Sequence, residues 1–141
     1  MKTHTERAVS FVLTREHHLQ EIAEDYVELI ADLIRNKGEA RTCDLASHLG
    51  VSHVTVIRTI RRLQQKGYVH TEPHKPIHLT SVGEKMAALS KARHGILLTF
   101  LISIGVPEEV AKIDAEGMEH HVSERTLEAL RKLLYCARVD S

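Results

Sequence analysis

The stretch between residues 42 and 65 restricts the fold more than any other. Thr42 is placed to cap a short helix that carries Leu45, Ala46 and Leu49, Gly50 supplies a turn, and Ser52 caps a second helix. In that second helix Val56, Ile60 and Leu63 mark the buried side. At about 100° per residue, Val54, Ile57, Arg58 and Arg61 lie on the opposite side. Two short helices across a tight turn predict a helix-turn-helix. An outward face that mixes small apolar groups with arginines suits a recognition helix. Guanidinium groups read guanine edges or phosphates, and apolar groups touch thymine methyls. The predicted DNA-facing residues are Ser52, His53, Val54, Thr55, Ile57, Arg58 and Arg61. The plainer alternative packs Val54 and Ile57 on a neighbouring loop.

Residues 68–80 extend the pattern. Tyr68-Val69-His70-Thr71 and Ile77-His78-Leu79 are strand-like, and Pro73-His74-Lys75-Pro76 is the turn between them. A two-stranded wing after a recognition helix makes a winged helix-turn-helix, with Lys75 at its tip placed for the phosphate backbone. His70, His74 and His78 are read as wing surface rather than as a metal site. Charge agrees in sign. The whole chain holds 19 basic and 19 acidic residues, but residues 41–85 hold seven basic and three acidic, which suits a nucleic-acid surface.

Residues 1–20 show weak periodicity and are taken as an N-terminal extension, partly helical, of unassigned role. The DNA-binding domain is predicted over 21–81 and a helical second domain over 82–141. Residues 21–36 predict an amphipathic helix through Ile22, Tyr26, Leu29, Ile30 and Leu33, ended by Gly38. Beside that apolar stripe runs an acidic one of Glu21, Asp25, Glu28 and Asp32. Ser81-Val82-Gly83-Glu84 has capping-box spacing and opens a long helix to about Ser103. Its apolar face is Met86, Leu89, Ile96, Leu97, Phe100, Leu101 and Ile104, with Leu98 and Ile102 on another side. One helix cannot bury so much in a small monomer, so a homodimer is expected. A last helix starts near Ser123 and turns Leu127, Leu130, Leu133 and Leu134 inward.

Between these helices lies Asp114-Ala115-Glu116-Gly117-Met118-Glu119-His120-His121, on a helix opened by Pro107. Continued as a helix, it places Glu116, Glu119 and His120 on one face. Val110, Ile113, Gly117, Met118 and His121 fall on the other. Carboxylates with an imidazole form a mostly oxygen ligand set, suited to Mn²⁺ or Fe²⁺. Such a face is usually just solvated surface. A second acidic stripe on residues 21–32 favours the metal, because like charges converge only with a cation between them. Cys43 and Cys136 form no CxxC pair, which argues against a zinc ribbon and fits a reducing compartment. The most apolar run, Gly95 to Val106, is shorter than the roughly 20 residues that span a bilayer. A cytoplasmic protein with no membrane role is expected.

The ordered set of Asp25-Tyr26-Val27-Glu28, the winged helix-turn-helix ending in Leu79-Thr80-Ser81-Val82-Gly83, the Arg93-His94 pair and the Glu-Gly-x-Glu-His-His block resembles the diphtheria-toxin-repressor (DtxR/MntR) family. Within it the pattern is similar to the short, two-domain branch of manganese transport regulators, over about residues 21–138. The resemblance implies a mainly α fold, with a winged helix-turn-helix domain followed by an all-helical metal-binding and dimerisation domain. It implies the metal ligands Asp25, Glu28, His94, Glu116, Glu119 and His120. Glu28 and Glu119 would bridge two Mn²⁺ ions per subunit, and the Glu116 carbonyl would join them. The iron-responsive branch carries Met and Cys where this chain has Asp25 and Glu116, which favours manganese while leaving Fe²⁺ open.

The implied function is a manganese-responsive repressor that binds double-stranded operator DNA as a metal-loaded homodimer and controls manganese transport genes, with no small organic substrate. Two alternatives stand beside it: an iron-responsive or metal-independent winged-helix regulator, and a carboxylate-bridged di-metal enzyme. Against the enzyme, the chain has no nucleophile-base arrangement, no phosphate loop and no HExxH.

Overall fold

A computed structural model describes residues 1–139. The elements are α1 (His4–Lys37), α2 (Thr42–Leu49), α3 (His53–Gln65), β1 (Val69–His70), β2 (His78–Leu79), α4 (Ser81–Ser103), α5 (Glu108–Met118) and α6 (Glu124–Val139). The fold is mainly α, with one two-stranded antiparallel sheet among the described residues. The chain divides into two compact units, His18–Ala88 and Met1–His17 with Leu89–Ser141.

The extension over residues 1–20 is not a separate element. It is the start of α1, which runs unbroken from His4. A local cap sets its start. The Thr3 N–H donates to the Glu6 carboxylate at 2.6 Å and the Glu6 N–H donates to the Thr3 hydroxyl at 3.2 Å, a reciprocal cap at T-x-x-E spacing.

In the unit His18–Ala88, Tyr26, Ile30 and Leu33 of α1 form one core with Leu45 of α2, Val56, Ile60 and Leu63 of α3, and Val69 and Ile77 of the wing. Gly50 adopts a left-handed conformation (φ 66°), and its N–H donates to the Ala46 carbonyl, closing α2 before the turn. The cap of α2 differs from expectation. The residue flanking the helix is Arg41, not Thr42, and the Asp44 carboxylate accepts from the Arg41 N–H at 3.1 Å. An acid at the third helical position thus satisfies the N–H of the flanking residue, the acid's half of a capping box. α3 is capped as expected, with the Thr55 N–H donating to the Ser52 hydroxyl at 3.2 Å.

The strands are shorter than the sequence indicates, two residues each, with Val69 opposite Leu79 and His70 opposite His78. An isolated bridge pairs Ala40 with Ile77, which explains the burial of both. The start of α4 also shifts by one residue. Thr80, not Ser81, caps it, accepting from the Gly83 N–H at 3.1 Å while its hydroxyl donates to the Gly67 carbonyl at 2.6 Å. Gly83 is required there: a Cβ would lie 2.0 Å from the Tyr68 carbonyl oxygen.

In the other unit, Leu97 and Leu101 of α4, Ala111 and Ala115 of α5 and Leu127 of α6 form a second core, with Ile96, Phe100, Val122 and Leu130 packed against it. Leu133, expected to point inward, is exposed, as are Leu89 and Ile104 of the apolar face of α4 and, beside them, Ile102 and Ile113. A helix period locates an apolar stripe but does not tell which part of it the same chain covers.

Candidate metal centre and nucleic-acid interface

α5 ends at Met118, so the Glu119–His121 segment is not regular helix. Glu119 still donates its N–H to the Ala115 carbonyl at 3.0 Å, and the His121 N–H tightens onto Met118 at 3.0 Å. The buried row along this segment is Ala111, Ala115 and Glu119, at i, i+4 and i+8. Of the three residues expected on one face, Glu119 is buried and His120 half-buried, whereas Glu116 is exposed.

Glu119 is 3% exposed, and both its oxygens face imidazoles. Nδ1 of His94, from α4, stands 3.0 Å from Oε2, and Nε2 of His120 stands 3.4 Å from Oε1. A carboxylate is costly to bury without such partners. His94 and Glu119 are 25 positions apart in the sequence, and α4, the Gly105 turn and α5 bring them together. The donor set is one carboxylate and two imidazoles with no thiol, which fits a divalent ion of the hard-to-borderline class. Arg93, beside His94, pairs with Glu124 at 3.0 Å and holds the start of α6 to α4.

On α1, Asp25 and Glu28 are half-buried, as are Glu21 and Asp32, so the acidic stripe is no freely solvated face. Sequence reasoning passed over Glu24, which is 6% exposed and accepts from the Gln20 amide at 3.3 Å. It lies on the apolar side of the helix, where periodicity predicts no acid.

The side of α3 expected to face DNA is open. Val54 and Ile57 are 62% and 48% exposed, and Ser52, His53, Thr55, Arg58 and Arg61 are exposed as well. Packing of Val54 and Ile57 on a loop is thereby excluded. Between α3 and the wing turn lies an open groove of about 870 Å³, lined by His53, Ile57, Arg61, Gln64, Lys75 and Arg41. Gln64 and Arg41 also line it without having been singled out in the sequence: Arg41 precedes α2, whereas Gln64, at i+7 from Ile57, continues the outward side of α3 and was within reach of helix periodicity. Lys75, at the tip, pairs with Glu72 at 2.8 Å. Arg41 pairs with Glu39 at 2.8 Å, and this contact lifts the guanidinium pKa and holds the Glu39 carboxyl below the usual range.

Residues 18–77 match the family model for the iron dependent repressor N-terminal DNA binding domain, and residues 80–140 match the iron dependent repressor metal binding and dimerisation domain. The transcriptional regulator MntR of Escherichia coli O6:H1 is 50% identical over 126 residues, covering 89% of this chain and 81% of the relative. This chain belongs to the MntR branch of the DtxR/MntR family. A second MntR, the HTH-type transcriptional regulator of Bacillus subtilis, is 38% identical over 111 residues, covering 79% of this chain and 78% of its own. A solved manganese-dependent transcriptional repressor in complex with manganese superposes with a TM-score of 0.71 at 32% identity, over 79% of this chain and 52% of that one. The metal-dependent transcriptional regulator MtsR gives 0.73 at 25% identity, over 79% and 53%. The chain thus spans about half the length of these solved relatives. The MntR relatives are transcriptional regulators, and the two matched domains follow the order read from the sequence. No helix among the described residues of this MntR-type chain is long and apolar enough to cross a membrane.

Proposed function

We propose that this chain is a cytoplasmic, manganese-responsive repressor that binds operator DNA as a metal-loaded homodimer and controls manganese transport genes. The observation that carries the reading is the buried Glu119 carboxylate held between His94 and His120 in a chain that also presents an open recognition helix. The regulatory ligands are Asp25, Glu28, His94, Glu116, Glu119 and His120, with two Mn²⁺ per subunit and Fe²⁺ as the alternative ion. DNA is met by Ser52, His53, Val54, Thr55, Ile57, Arg58, Arg61 and Lys75. The working domains are residues 21–81 for DNA and 82–141 for metal and dimerisation.

Bound divalent ions supply the positive charge that offsets Asp25, Glu28, Glu116 and Glu119. The chain's own residues do the rest. Asp25 and Glu28 lie on α1, whose Tyr26, Ile30 and Leu33 share a core with Val56, Ile60 and Leu63 of α3. Fixing those two carboxylates therefore fixes the helix that carries Arg58 and Arg61. A dimer reads two half-sites roughly 34 Å apart only when its recognition helices hold that spacing. The DNA-competent arrangement and the ligand set are thus linked, and each tightens the other. The exposed Leu89, Ile102, Ile104, Ile113 and Leu133 offer the partner copy an apolar surface.

The test is operator affinity with Mn²⁺, Fe²⁺, Zn²⁺ or chelator at one salt concentration. Tight binding with Mn²⁺ that chelator removes is expected. Binding indifferent to chelator overturns the reading in favour of a metal-independent regulator, and a stronger response to Fe²⁺ moves the chain to an iron-responsive role.

A further inference from the structure

The wing carries a histidine pair that the regulatory site does not use. The β1–β2 register sets His70 directly opposite His78. Both side chains are exposed, on the face of the hairpin away from buried Val69. Directly opposed residues of an antiparallel pair have Cβ atoms about 4.5–5.5 Å apart. Two imidazoles on such a base can aim a nitrogen each at one point, about 2.0–2.1 Å from each. In sequence His70, His74 and His78 read as wing surface; the register shows that His70 and His78 are the directly opposed pair. They also line a common hollow of about 290 Å³ with Glu72, Lys75 and Pro76, in which the Lys75 ammonium is neutralised by its 2.8 Å pair with Glu72.

From this juxtaposition we infer that His70 and His78 form a second metal site, for a divalent ion of the imidazole-preferring class such as Zn²⁺. Two neutral imidazoles select borderline ions over Mn²⁺, which favours oxygen ligands. The site is chemically distinct from the proposed regulatory set, which adds Asp25, Glu28 and Glu116 to Glu119 and its two imidazoles, and it stands whether or not that set binds manganese. Water completes the coordination. The ion adds two positive charges to the wing, beside Lys75.

The test is a Zn²⁺ titration of the full-length protein, followed through the side-chain ring resonances of each histidine by NMR. His70 and His78 are expected to shift together, with one shared binding curve. His78→Asn, at an exposed position that leaves the fold intact, is expected to weaken the His70 response by about tenfold or more, because losing a direct ligand costs at least what losing a ligand's outer partner does. His70→Gln is expected to do the same to His78. Rings that do not move once zinc exceeds the other sites overturn the inference. So does a His70 response that is unchanged in His78→Asn, which would mark each ring as an independent, adventitious binder.

Discussion

Nδ1 of His94 stands 3.0 Å from Oε2 of Glu119, joining the middle of α4 to the end of α5 through a carboxylate that is 3% exposed. Glu119 is the one acid of its segment that turns inward, and it meets His120 with its other oxygen. Glu119→Gln keeps the shape and a hydrogen-bonding group but removes the charge. Its manganese affinity is expected to fall at least 10–100-fold, roughly the loss seen when even outer partners of metal ligands are removed. Calorimetric titration beside a thermal melt reads this; wild-type manganese affinity in the variant would take Glu119 out of the ligand set.

The wing and the recognition helix make separable contributions. Arg58→Ala is expected to weaken operator binding by about 1–3 kcal/mol and to relax preference at one base position. Lys75→Ala is expected to weaken all DNA about equally and to reduce the salt slope by about one. Because Glu72 holds Lys75 in the DNA-free chain, Glu72→Gln is expected to tighten binding at low salt. Fluorescence anisotropy across a salt series distinguishes the three. Equal losses on specific and random DNA for Arg58→Ala would assign that residue to phosphate.

Gly83 tolerates no side chain, since a Cβ would meet the Tyr68 carbonyl oxygen at 2.0 Å. Gly83→Ala must push the start of α4 away from the wing, at about 1–3 kcal/mol, the usual range for overpacking. A lowered melting temperature in metal-free protein is the expected result. An unchanged one would show that the helix start moves at no cost.

Acid weakens the joint between α1 and α2. The Lys37 ammonium, 2.6 Å from Asp44, holds the Asp44 carboxyl below its ordinary pKa, aided by the Arg41 N–H. A carboxyl depressed in the folded state stabilises above its unfolded pKa, and that stabilisation is lost as pH falls through the folded value. The same contact raises Lys37, whose share persists at neutral pH and is lost only as pH rises through the ammonium range. Asp44 is half-buried but Lys37 is solvent-exposed, so screening keeps the effect small. Melts of Asp44→Asn are expected to lie below wild type at neutral pH and to converge with it in acid. Parallel curves throughout would show that the pair is neutral to folding.

The sequence by itself determined the elements and their chemistry. Val56, Ile60 and Leu63 repeat at helix period, Ser52 caps, and Pro73 and Pro76 bracket a turn, so the winged helix-turn-helix was readable from local rules. The reciprocal Thr3–Glu6 cap was equally local, and the long start of α1 was readable in principle. Tertiary structure alone decided which acid is buried, because burial depends on what packs against a face and not on its period. Glu116 and Glu119 are the same residue type three positions apart, yet only Glu119 turns toward the core row of Ala111 and Ala115. It also decided the pairing of His70 with His78, since strand register follows from how the turn closes and from Ile77 bridging to Ala40, a contact 37 residues away in the chain.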